Sequence, residues 1–226
     1  MTESAAMKGP FITLEGGEGS GKSTQIKLLS RWLEGLGIDH VCTREPGGAP
    51  GAEQIRGLVL TGDVDRWTPM TEVLLYTAAR SDHVERVITP ALESGRMVLC
   101  DRFYDSSIAY QGAGRGVGVD KVKALQKLVL GDLRPDLTLI LDLPVQVGLA
   151  RAVSRETGNA DAQTEAEDRF ERMDVSMHET FRSVFLEIAE QAPDRCVVID
   201  ADRDIEALQQ ILRGVIAQRF GLVERG

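Results

Sequence analysis

The chain has 226 residues, 42% hydrophobic and 27% charged, which suffices for one domain, or a domain with a small inserted lobe, and argues against bulk disorder. A formal charge of −9 argues against general affinity for duplex DNA, and no nucleic-acid partner is expected, although a cleft can still focus positive potential on a small anion. No apolar run is long enough for a membrane span or a signal peptide, and Cys42, Cys100 and Cys196 form no C-x-x-C pair, so the expectation is a cytoplasmic protein with three buried, reduced thiols, no membrane partner and no zinc knuckle.

Residues 1–8 are polar or small and read as flexible. Phe11–Glu15 reads as a buried strand, followed by a Gly-rich stretch and a helix from Lys22 to about Leu36. In that helix Ile26, Leu29, Leu33 and Leu36 recur at spacings of three and four, and Gly37 stops it. His40–Thr43 is a second strand, ending in the turn Pro46-Gly47-Gly48. Helical patterns cover 53–60 and 71–93, and Met97–Cys100 is a third strand. A helix at about 119–130 leads to a fourth strand, Leu137–Leu143. Helices at 145–155 and 168–191, a fifth strand at Val197–Ile199 and a helix at 204–219 complete the chain. Such alternation implies an α/β fold, a mostly parallel sheet covered on both faces, whose ligands sit beyond the carboxyl ends of the strands. No linker divides residues 1–226, so one domain is expected.

Gly16-Gly17-Glu18-Gly19-Ser20-Gly21-Lys22-Ser23 matches G-x-x-x-x-G-K-[ST], after a strand and opening a helix. Glycines let successive backbone N–H groups turn inward around phosphate oxygens, and the helix adds its positive end. Lys22 is then expected on the β- and γ-phosphates and the Ser23 hydroxyl on Mg²⁺. The motif specifies a nucleoside triphosphate rather than a reaction.

The stretches after the other strands narrow the choice. Thr43-Arg44-Glu45-Pro46-Gly47-Gly48 follows the second strand, and Tyr76 and Arg80 are four residues apart on one helical face. Asp101-Arg102-Phe103 follows the third strand, and Ala109-Tyr110-Gln111-Gly112 comes soon after. In this order, over about Phe11 to Phe220, the set resembles the thymidylate kinase family. The resemblance implies a P-loop fold, a parallel sheet in the order 2-3-1-4-5 with a mobile lid, and transfer of a phosphoryl group from ATP to dTMP with Mg²⁺. A homodimer is implied as well.

Residue roles follow from the same resemblance. Arg102 would grip the dTMP phosphate, as a guanidinium fork suits phosphate geometry, with Arg56 as a further phosphate-side arginine. Tyr76 would stack on thymine and Arg80 would point a donor at a base carbonyl. Ser107 and Gln111 would meet the remaining base edge, and Tyr110 would sense the sugar 2′ position. Glu18 would face the sugar 3′-OH or the metal, and Asp101 is a second candidate for the metal's outer shell. Pro46 is expected in cis. The arginine that some members carry inside the phosphate loop is Gly19 here, so the lid, about 151–168, is expected to supply it: Arg155 as the catalytic residue and Arg151 beside adenine, near Asp200-Ala201-Asp202.

A phosphomonoester is already a dianion near neutral pH, so no general base is required of the site. No histidine lies near a motif, and His40, His83 and His178 read as structural or surface residues. The residues alone leave open another nucleoside monophosphate kinase, a deoxynucleoside kinase with Glu18 or Asp101 as base, and an ATP-binding regulator, against which Lys22, Ser23 and the arginine set weigh.

Overall fold

The computed structural model describes residues 8–158, 169–170 and 173–223, with side chains described as far as Ser154 in the first of these. Five strands, β1 (Phe11–Glu15), β2 (His40–Arg44), β3 (Met97–Asp101), β4 (Leu137–Asp142) and β5 (Cys196–Asp200), form one parallel sheet in the order β2-β3-β1-β4-β5. β1 lies at the centre and all five of its residues are buried. Strand alternation decides where each points. Ile12 and Leu14 join Leu29 and Leu33 of α1 (Lys22–Gly35) in one apolar cluster. Phe11 joins Phe103 and Ile88 in another, and Glu15 points from that same face.

The remaining helices are α2 (Pro50–Leu60), α3 (Pro69–His83), α4 (Thr89–Glu93), α5 (Tyr104–Ser107), α6 (Val119–Leu130), α7 (Val145–Gly158), α8 (Val175–Gln191) and α9 (Ile205–Phe220). α9 covers β1 together with α1 through Leu208, Leu212 and Ile216, while α8 closes the other face with Phe181 and Phe185. Truncating a fully buried leucine such as Leu33 costs about 2–5 kcal/mol in packing of this kind.

Several expectations are corrected. The helix expected over 71–93 is α3 and α4 joined by a π-helical segment, Val84–Ile88, in which Thr89 N–H donates to the Val84 carbonyl. Pro90 follows at once and has no N–H for an α-helical ladder, which gives the widened turn a local cause. The helix expected from 168 begins instead at Val175. Arg169 and Phe170 form a buried turn ahead of it, held because the Arg169 guanidinium donates to the carbonyls of Asp63 (3.1 Å), Val59 (2.9 Å) and Val64 (2.5 Å). Cys42 is exposed, not buried, because β2 is an edge strand, whereas Cys100 and Cys196 are buried. The Glu45–Pro46 peptide is cis, as expected. Residues 1–7 of the expected flexible end, residues 159–168 of the expected lid and the Arg155 side chain lie outside the described set.

Candidate nucleotide and phosphoryl-transfer site

The loop between β1 and α1 turns through Gly16, Gly19 and Gly21, all at positive φ. Gly21 stands at the N-cap of α1 and no side chain caps that end, so the first helical N–H groups face outward into the loop. The Lys22 ammonium folds over the loop, donating to the carbonyls of Gly16 (3.1 Å) and Gly17 (2.8 Å) and to Ser20 Oγ (3.1 Å). Burial pulls this ammonium down to about 8, with nearby Arg102 adding to the effect and Glu18 opposing it. Ser23 Oγ donates to Asp101 Oδ2 at 2.7 Å, joining the start of α1 to the end of β3. Two hard oxygen donors at the mouth of a phosphate loop fit Mg²⁺, which is held through few protein groups and keeps several waters.

Gly19 lies against α7. A Cβ on Gly19 would overlap the backbone of Gly148, and one on Gly148 would overlap the Glu18 carbonyl oxygen. Two residues without side chains therefore let the loop and the first turn of α7 touch through their backbones. An arginine at position 19 cannot be accommodated against this helix, which agrees with its absence from the loop.

Arg102, just past β3, is the one non-glycine residue at positive φ among those described, at 67°. Its guanidinium donates to Glu18 Oε1 (2.7 Å), to the Gly16 carbonyl (3.0 Å) and to Ser106 Oγ (3.2 Å), and lies 5.1 Å from the Tyr110 ring centre. It pairs with Glu18, and not with Asp101 or Asp105. Tyr110 Oη also donates to Glu18 Oε1, at 2.9 Å. Burial alone would raise the Glu18 carboxyl, but the charges of Arg102 and Lys22 outweigh it and hold the group down at about 2. Glu18 is thus ionised at neutral pH, and so is Arg102, whose pKa Glu18 raises against the opposing effect of burial.

A cleft opens from this cluster, and its space together with the open solvent at its mouth amounts to about 600 Å³. Arg102, Tyr76, Arg80, Ser107, Tyr110 and Gln111, which the family resemblance assigns to the acceptor, all line it, together with Glu18, expected at the sugar 3′-OH or the metal. Arg80 is nearly fully buried and donates to Glu45 Oε2 (2.6 Å), Ser107 Oγ (3.0 Å) and Gln126 Oε1 (2.9 Å). Gln111 Nε2 donates to Glu72 Oε1 at 2.9 Å, which leaves its carbonyl oxygen and the second Nε2 proton as the remaining groups. Tyr110 and Gln111 sit on a π-helical continuation of α5, Ile108–Gly114, whose wide turns set their spacing. Arg56 is outside the lining and donates to the Pro46 carbonyl at 2.7 Å, bracing a residue that is in it. Arg151, on α7, reaches the segment after β5, donating to the Ala201 carbonyl (3.2 Å) and Asp202 Oδ1 (3.0 Å).

Some site residues escaped sequence reasoning. Phe170 enters the lining from the turn before α8 and stands edge-on to Tyr76 (6.3 Å) and Tyr110 (5.3 Å), giving the cleft an aromatic wall that meets the Arg102 guanidinium at Tyr110. Glu45 emerges as the shared acceptor for Arg80 and for His83 Nδ1, 3.0 Å away. His83 therefore lies against the T-R-E-P-G-G stretch, and His178 lines a groove with Gly16, Gly17 and Glu18, so the expectation of no histidine near a motif is corrected. Distance along the chain hid both contacts. Glu15, a carboxylate ending an apolar strand, could have been singled out by its burial mismatch.

A sheet of this strand order, with a phosphate-binding loop after its central strand and an arginine-lined cleft beside it, defines a P-loop nucleotide kinase. A family profile described as thymidylate kinase matches residues 14–211. A thymidylate kinase of Caulobacter vibrioides is 53% identical over 215 residues, 95% of this chain and 99% of that protein, and one of a Bradyrhizobium strain is 49% identical over 97% of this chain and 96% of its own. The crystal structure of thymidylate kinase from Ehrlichia chaffeensis superposes with a TM-score of 0.74 at 31% identity, covering 92% of this chain and 99% of that one. The chain belongs to the thymidylate kinase family.

Proposed function

We propose that the protein transfers the γ-phosphoryl group of ATP to dTMP, giving ADP and dTDP. The observation that carries this reading is the contact of Arg102 with the phosphate loop itself: its guanidinium bonds both Glu18 and the Gly16 carbonyl. An anion held by Arg102 therefore sits next to one held by Lys22, and two phosphates meet end to end.

The chemistry needs little else. Both substrates are polyanions, so the barrier is electrostatic and entropic, and fixed cations with fixed geometry lower it. Lys22 and the loop N–H groups of Gly16 to Ser23 hold the donor, with Arg151 at its adenine end beside Ala201 and Asp202. Arg102 holds the acceptor phosphate, and Arg56 keeps Pro46 in the cleft wall. Tyr76 stacks on the base, Arg80, Ser107 and Gln111 face its polar edge, and Tyr110 with Glu18 faces the sugar. Mg²⁺, held by Ser23 and Asp101, would neutralise charge on the transferred group when bound. Arg155 supplies the remaining cation from the lid. No side chain need accept a proton, because the acceptor is already ionised. We infer a cytoplasmic homodimer. α2 and α3 leave Leu58, Met70 and Leu74 exposed as an apolar face for it, and no described helix is long and apolar enough to cross a membrane.

A panel of nucleoside monophosphates, with thymidine as a further acceptor, tests the reading by ADP release with Mg·ATP. Preference for dTMP is expected. Faster turnover with AMP, CMP or GMP would overturn the base assignment, and faster turnover with thymidine would overturn the acceptor class.

A further inference from the structure

Glu15 is fully buried at the end of β1, and nothing in the phosphoryl-transfer chemistry above uses it. Its position on the Phe11 face of the strand aims it at the chain leaving β3. There Oε1 accepts from the backbone N–H groups of Phe103 (2.8 Å) and Ser106 (3.3 Å), while Oε2 accepts from Ser106 Oγ (2.6 Å). Phe103 is the N-cap of α5 and provides no side-chain cap, and Ser106 lies in the first turn. A carboxylate from a different strand therefore satisfies the open end of the helix that continues into Tyr110 and Gln111. Ser106 Oγ in turn accepts from Arg102 Nη1 at 3.2 Å, and Arg102 is the residue held at positive φ. Such a backbone persists only where its surroundings over-determine it, and here the clamp is Glu15 on one side and the Leu14 carbonyl, which accepts from Arg102 N–H at 2.9 Å, on the other.

We propose that Glu15 is a positioning residue for the acceptor half of the site: by clamping the turn from Arg102 to Ser106 it sets where the Arg102 guanidinium and the start of α5 meet the acceptor phosphate. The inference rests on the phosphoryl-transfer reading above. A clamp of this kind acts on acceptor geometry and leaves the donor's loop unchanged, because its three hydrogen bonds all go to the segment after β3.

Glu15→Gln tests it. The amide keeps the Oε1 acceptor but replaces Oε2 with a donor, so the Ser106 hydroxyl must reverse its bond. In the full chain, kcat/KM for dTMP at saturating Mg·ATP is expected to fall about 10- to 100-fold, as for sub-ångström to ångström misplacement of a reacting group. Affinity for a fluorescent ATP analogue on the same preparation should stay within about twofold, a split that general loss of structure would not produce. Ser106→Ala should act in the same direction, and in the double variant the losses should fall short of the product of the singles because both break one chain of contacts. Unchanged dTMP kinetics in folded Glu15→Gln, equal losses for dTMP and the ATP analogue, or fully multiplicative losses would overturn the proposal. Should Glu15→Gln fail to fold, unchanged dTMP kinetics in Ser106→Ala would overturn it alone. A wild-type chain inactive on dTMP would instead sink the functional reading.

Discussion

Arg102→Ala separates what that residue does for the fold from what it does for the reaction. In the intact protein Glu18 is a largely buried carboxylate, its side chain 18% exposed, and Arg102 is its ion-pair partner at 2.7 Å. With Arg102 gone, Glu18 keeps the Tyr110 hydroxyl and the more distant Lys22 charge. Breaking a buried pair from one side costs about 3–5 kcal/mol. For a chain of 226 residues, that is a fall in melting temperature of roughly 6–20 °C. The kinetic loss has a different origin, two charge-assisted hydrogen bonds to the acceptor phosphate worth about 1.5–3 kcal/mol each, or roughly 10²- to 10⁴-fold in kcat/KM for dTMP. Adding Glu18→Gln removes the stranded charge, so the double variant should regain most of the melting temperature while staying inactive on dTMP. Thermal unfolding, coupled ADP release and titration with a fluorescent ATP analogue measure the three quantities. Recovery of turnover in the double variant, or a loss of ATP affinity as large as the loss for dTMP, would refute the reasoning.

Gly148→Ala puts a methyl group against the Glu18 carbonyl oxygen, and although alanine suits a helix better, the overlap should leave the protein about 1–3 kcal/mol less stable, with a raised KM for ATP. A higher melting temperature would contradict the contact. Partial burial raises the Cys42 thiol as well, but it is the exposed one of the three and should be the one that reacts with an alkylating reagent in the native state. Cys100 and Cys196, buried and with burial pushing both thiols up, should label only on unfolding, as peptide mass mapping would reveal. Glu18 and Glu15 give stability opposite slopes with pH. Glu18, held at about 2 against an ordinary 4.5, adds about 3 kcal/mol of stability that is present above pH 4.5 and lost as pH falls towards 2. Burial, with Asp105 adding to it, pushes Glu15 from 4.5 up to about 7, so its contribution is fully present below pH 4.5 and lost as pH rises through 7. Denaturant melts at pH 5 and pH 8 should show Glu15→Gln losing less stability across that interval than the parent chain, and an equal loss would contradict the assignment.

Strand positions were legible because short apolar runs between glycine-rich turns leave a parallel sheet few alternatives, and β1 and β4 fall within a residue of where their patterns end. The loop from Gly16 to Ser23 was legible for a different reason, since its spacing is itself the chemistry. Helix boundaries were less so: Pro90 perturbs the ladder before it, and the turn at Arg169 is held by carbonyls about a hundred positions away. In the site, the sequence grouped Tyr76, Arg80, Arg102 and Tyr110, but the web of partners around them was hidden. That Arg80 shares Glu45 with His83, and that Phe170 faces two tyrosines, depends on helices crossing in space, about which local periodicity carries no information.

The backbone contact between Gly19 and Gly148 constrains how the active site can be remodelled. A long cation grafted into the loop would have to lever the neighbouring helix aside before it could reach a nucleotide, so the simplest route to adding charge from within is sterically shut. Any evolutionary exchange of that cation between loop and lid would therefore have to move the first turn of α7 itself, since the obstructing atoms are helix backbone that no replacement of Gly148 removes.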